Sequence, residues 1–151
     1  MPNVSESIEI DASSEVVFDL IHNYDVRLKW DTMLAEARLL DQADQAGAGV
    51  RTRCVGTWKC FWIPVESTYI TFRRPQVAAV KMDNQPWFFD QFAASIRHES
   101  ISENRSTVSY HSNFTAKPSW LRGLLEPIMK QFLRREIRHR LKALKEFAES
   151  Q

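Results

Sequence analysis

His98, His111, Tyr110, Asp31, Cys54 and Cys60 are the side chains whose types and spacing invite a chemical reading of this sequence. The two histidines lie on runs that read as neighbouring strands. Paired imidazoles suit a metal ion, but zinc sites gather three or four converging ligands, and no carboxylate or thiol joins this pair. On the strand register His111 falls on the polar outer face, while His98 extends the Phe92–Ile96 face, so no metal site is expected. Tyr110 and His98 remain the two catalytic candidates, as groups able to shuttle a proton. Equally, they serve as polar contacts for a ligand oxygen, or as a satisfied core hydroxyl and a strand-end histidine. Asp31, beside Trp30, reads as a cap or as an anchor of a short helix to the sheet rather than as an acid catalyst. The Cys54–Cys60 spacing matches neither CxxC redox chemistry nor a common zinc signature. Cys54 reads as a small core residue, and Arg51 and Arg53 as solvated. With only four glycines in the chain, there is no phosphate-cradling loop or dinucleotide fingerprint.

Composition narrows the class. The chain has 151 residues, 44% hydrophobic and 26% charged, with a formal charge of +1. That fits an ordinary globular domain, read as one unit over residues 1–151. Near-neutral charge and the lack of a stacking motif argue against nucleic acid. No run of about 18 apolar residues is present to span a bilayer. The opening residues Met1–Ile10 lack a basic and apolar leader, so a cytoplasmic, reduced setting is expected. No cofactor is expected.

These side chains must be held by strands around one long helix. From Trp120 to about Ala148, Leu121, Leu125, Met129, Leu133, Ile137, Leu141, Leu144 and Ala148 recur at three- and four-residue steps. They predict an amphipathic helix. Lys130, Arg134, Arg135, Arg138, Arg140, Lys142 and Lys145 would then cover its opposite, solvated face. Ser119 is the expected N-cap, and Pro127 is expected to kink the first turns.

Ahead of it, alternation predicts a strand over Val4–Ile10. A helix capped by Ser13 and carrying Val17, Leu20, Ile21 and Tyr24 follows, then a short helix from Val26 to about Met33 capped by Asp25. Six strands come next: Ala35–Asp41, Val50–Trp58, Val65–Arg74, Val77–Asp83, Trp87–Ser102 and Ser106–Ala116. Short turns between them imply an antiparallel meander whose apolar face needs the long helix as partner. The fold class is therefore α+β.

This order resembles the START-like superfamily (SRPBCC), which includes the major birch-pollen allergen and bacterial polyketide cyclase/dehydrase and lipid-transport proteins. The stretch from Ile8 to Phe18, and that from Tyr24 to Met33 with its Arg27-x-x-Trp30-Asp31 element, carry the resemblance. It implies a helix-grip fold: a curved seven-stranded antiparallel sheet wrapped around the C-terminal helix, with two short helices between strands 1 and 2. It also implies a cavity between sheet and helix for a hydrophobic small molecule or lipid. Ile8, Ile10, Tyr69, Val80, Phe92, Ile96, Tyr110, Phe114, Leu125, Met129 and Leu133 are the residues expected to line it.

One expectation comes from meander geometry. Turns alternate between the two ends of the sheet, so three connections share one end. They carry Trp58, Phe61, Trp62, Trp87 and Trp120. These rings either rim the cavity mouth, gating a ligand or making a transient membrane contact, or pack together as a plug. The functional readings are a non-catalytic binder or carrier of a hydrophobic molecule, and a polyketide cyclase or dehydratase using the same cavity.

Overall fold

The computed structural model describes residues 2–151. Period-two alternation does what it should: seven strands form one antiparallel sheet in the order β1-β7-β6-β5-β4-β3-β2. They are β1 Asn3–Ile10, β2 Leu34–Leu39, β3 Arg51–Gly56, β4 Pro64–Arg73, β5 Val77–Met82, β6 Phe89–Ser102 and β7 Arg105–Ala116. Two helices, α1 (Ser14–His22) and α2 (Arg27–Trp30), link the edge strands β1 and β2, and α3 (Arg122–Glu149) closes the chain. The sheet curls as a half-barrel around α3, which is the helix-grip arrangement.

Local chemistry sets the boundaries. Ser13 caps α1, its hydroxyl accepting from the Val16 amide at 3.3 Å. Asp25 does not cap α2, whose N-cap is Val26 without a side-chain bond, and the helix is a single turn. Ser119 does not cap α3 either. It opens a 3₁₀ turn, Ser119–Leu121, that leads straight into the helix. Pro127 lies inside α3 without dividing it; it sits in the second turn, where only one intrahelical bond is forfeited. β3 stops at Gly56, short of the expected Trp58. A Cβ there would meet the Cys60 Cβ at 2.7 Å, so only glycine lets the Trp58–Cys60 3₁₀ turn close.

The core is where α3 crosses β1 and β7. Leu133, Ile137, Leu141, Leu144 and Ala148 are buried against Val4, Ile10, Val17, Val108 and Phe114. Each such aliphatic side chain contributes about 1.5–3 kcal/mol on burial. Earlier in α3 the packing changes. Leu124 and Ile128 are exposed, and Leu125 and Met129 only half-buried. The first half of the helix therefore stands away from the sheet and leaves space beneath it.

Candidate functional site: a cavity with a charged floor

The space under α3 is a cavity of about 700 Å³, within the range of small-molecule sites, roughly 300–1,000 Å³. Its walls come from the inner faces of β2–β7 and from one stripe of α3. Strand register orders them by depth. Met82, Phe92 and Val65 lie toward the β3–β4 and β5–β6 connections, whereas Tyr69, Ala78, Ile96 and Tyr110 lie further in. Along α3, Met129 is near the mouth and Arg140 is about 16 Å further, at 1.5 Å per residue.

Of the residues expected to line the cavity, Tyr69, Val80, Phe92, Ile96, Tyr110, Met129 and Leu133 are on its wall. Four are not. Ile8 and Ile10 sit on β1 directly under α3, where the interface is filled, and Phe114 is fully buried against Phe89, with ring centroids 6.0 Å apart. Leu125 lies one turn before the wall-forming run Ile128, Met129, Phe132 and Leu133. His98, though on the inner face, is also outside the cavity. It packs beneath α1, 5.3 Å from the Phe18 ring, with both ring nitrogens buried and unpartnered. Burial alone holds it to a pKa of about 4. His111 projects outward to the Ser5 hydroxyl, so the two histidines do not converge.

The mouth is aromatic. Trp58, Phe61, Trp62 and Trp87 line it, and Trp120 stands at the same end without touching the wall. These rings are not a packed plug, since the least exposed of the five, Trp62, is 58% exposed. Phe61, Trp62 and Trp87 have φ of 56°, 53° and 54°, a left-handed backbone that costs a non-glycine residue about 1–2 kcal/mol. Large apolar side chains held exposed at such a cost contribute little to the stability of the fold. Trp62→Gly should therefore leave the thermal midpoint unchanged, or raise it by up to roughly 4 °C, because relieved strain offsets glycine's backbone entropy. A melting curve that falls by more than a few degrees would show that the ring supports the fold.

The floor is polar, and its key members were absent from the sequence-based set. Arg27 donates through Nε to Asp31 Oδ2 at 2.7 Å and through Nη1 to the Ile21 carbonyl at 2.9 Å. Arg140 donates through Nε to Asp31 Oδ1 at 3.1 Å, and through Nη1 to the Tyr110 hydroxyl at 3.4 Å. The Met33 amide adds a third bond to Asp31. Asp31 thus ties α2 to α3, not to the sheet as expected. Burial pushes its carboxyl upward, but Arg140 and Arg27 outweigh that and hold it below the usual carboxylate value. Arg140 itself corrects the basic-face reading, for it is 8% exposed and turned inward. The signal was present: Arg140 is three residues after Ile137 and four before Leu144, squarely in the apolar stripe.

A second polar chain lies beside it. His22 Nδ1 and the Tyr69 hydroxyl are 2.8 Å apart, and the Tyr24 hydroxyl is 2.9 Å from that of Tyr69. Burial pushes His22 well below its ordinary pKa and Tyr69 well above its own. At neutral pH both are uncharged. Cys54 also faces the cavity, with its thiol pushed up by burial. On the sheet's outer side Arg53 pairs with Glu66 at 2.9 Å. Among the described residues no helix is long and apolar enough to cross a membrane.

The sequence matches the family described as polyketide cyclase / dehydrase and lipid transport over residues 1–149. No curated protein gives a significant match. A START superfamily protein from Mycobacterium smegmatis superposes with a TM-score of 0.80 at 13% identity, covering 98% of this chain and 97% of its own. The Zhui aromatase/cyclase from Streptomyces sp. R1128 gives 0.80 at 13% identity over 98% and 93% of the two chains. A point mutant of norcoclaurine synthase from Thalictrum flavum gives 0.72 at 10% identity over 99% and 94%. At these identities the likeness is one of fold.

Proposed function

The chain belongs to the polyketide cyclase/dehydrase and lipid-transport family, and on that premise we propose that it binds and carries a hydrophobic small molecule or lipid between the sheet and α3. One observation carries this reading. A space of about 700 Å³ is left open under the first half of α3, apolar along most of its depth and polar at one end. A fold that only needed a core would have filled it, since voids of this size forfeit packing energy. The exposed aromatic mouth supports the same reading, because indole rings favour the membrane–water interface. Cargo would pass between the cavity and a bilayer there, in a transient contact made from the cytoplasm.

A cyclase or dehydratase acting in the same cavity is the second reading, favoured by the His22–Tyr69–Tyr24 chain on the wall. His98 has no part in it. The neutral imidazole and phenol are poorly matched to general acid–base work near pH 7, which places binding ahead of catalysis.

Native mass spectrometry of freshly purified protein, followed by solvent extraction, tests the carrier reading. A reproducible apolar adduct is expected. It should be lost in Ala94→Phe, which puts a ring into the middle of the cavity while keeping a folded thermal transition. An unliganded mass that no lipid or polyketide panel shifts would count against a carrier.

A further inference from the structure

Arg27 and Arg140 are the only formally charged side chains on the cavity wall among the described residues. They share a single counter-charge, Asp31, which is itself off the wall and fully enclosed. Its oxygens are already taken, Oδ2 by Arg27 and Oδ1 by Arg140 and the Met33 amide. Two guanidiniums against one carboxylate leave the floor of an otherwise apolar cavity with a net charge of +1. The remaining neighbours do not cancel it. His22, Tyr24, Tyr69 and Cys54 stay neutral near pH 7, each pushed that way by burial. Glu136, buried one turn before Arg140, is off the wall and, among the described residues, forms no ion pair with Arg27 or Arg140, which pair with Asp31. Nor are the donors used up. Nε and Nη1 of each arginine are engaged, whereas Nη2 of each meets no acceptor among the described residues.

We propose that the molecule bound here is an anionic amphiphile, with a carboxylate head seated on the Nη2 groups of Arg27 and Arg140 and an apolar body reaching toward the aromatic mouth. This rests on the reading of the cavity as a ligand site. Two guanidiniums held against the same carboxylate, each with its Nη2 still to be paired, suit an anionic carboxylate better than a hydroxyl or an ester. Guanidinium recognises paired oxygens, and charge-assisted bonds are roughly twice as strong as neutral ones. Such a ligand would also supply the missing negative charge where a buried cation is most costly.

The test uses the intact protein and a neutral fluorophore, N-phenyl-1-naphthylamine, displaced at pH 7.5 by dodecanoate, dodecanol and methyl dodecanoate. Dodecanoate should compete at least tenfold more tightly than the other two. Arg140→Gln should abolish that preference, bringing dodecanoate to within about twofold of the alcohol and the ester measured in the same variant. Arg140→Lys, which keeps the charge and the fold but loses the fork, should retain only part of it. Equal competition by all three compounds overturns the anionic head and leaves the cavity reading intact. So does a carboxylate preference that survives in Arg140→Gln and Arg140→Lys at the wild-type level. Failure of the fluorophore and all three compounds to bind overturns the cavity reading, and this inference with it.

Discussion

Asp31→Ala is expected to destabilise the protein by about 3–5 kcal/mol, the usual result of removing one partner from a buried ionic cluster. The carboxylate is wholly buried and accepts from two arginines and one amide. Without it Arg27 and Arg140, both under a tenth exposed, face each other with no counter-charge, and α2 loses its tie to α3. Chemical denaturation of the variant should show a midpoint well below wild type, with a drop in Tm of roughly 10 °C or more. Added dodecanoate should restore part of the loss, since a ligand bound to the native state stabilises it by mass action. A loss under about 1 kcal/mol would mean that the guanidiniums are solvated rather than enclosed.

Acid is expected to weaken this protein before most of its carboxylates titrate. His98 is buried with a pKa of about 4, whereas in the unfolded chain it titrates near 6.5. Its folded value is depressed, and for a base this means the unfolded state binds more protons between those two values. The stability it confers as a neutral group is complete above pH 6.5 and falls as pH drops toward 4, by roughly 3 kcal/mol at 1.36 kcal/mol per unit. His22, lowered by burial, then by Arg27 and by His98, acts in the same direction from the same upper limit. Asp31, whose pKa is depressed, retains its contribution above the unfolded carboxylate value and loses it only as pH falls through its lower folded value. Urea unfolding at pH 7.0 and at pH 4.5 measures the sum. His98→Phe should flatten the slope by an amount near the His98 share, and it also removes two buried unpartnered nitrogens. A pH dependence identical in wild type and His98→Phe would show that water reaches the ring.

Much of the architecture was legible because the sheet and helix periods are local properties. Alternation in Val4–Ile10 and Arg105–Ala116, and the three- and four-residue steps of Leu133, Ile137, Leu141 and Leu144, dictate which faces are buried. Meander geometry then obliged Trp58, Trp62, Trp87 and Trp120 to share an end. Boundaries were less legible where backbone dihedrals override pattern. Trp87 reads as the start of β6, yet its left-handed φ of 54° keeps it out of the strand.

What the sequence alone determined was the list of elements, their order and their apolar faces, all set by spacing within single segments. Which apolar face is filled and which is left open depends on how far α3 stands from the sheet. Ile8, Ile10 and Phe114 share the pattern of Phe92 and Ile96 yet lie in packed core. Apart from Arg140's place in the apolar stripe, the charged floor belongs to the tertiary structure. Asp31 and Arg140 are 109 residues apart, and the first reads locally as a cap, the second as a solvated charge. Only the packing of α2 against α3 brings them out of water together, and it is that loss of water which turns ordinary surface charges into a buried ionic cluster.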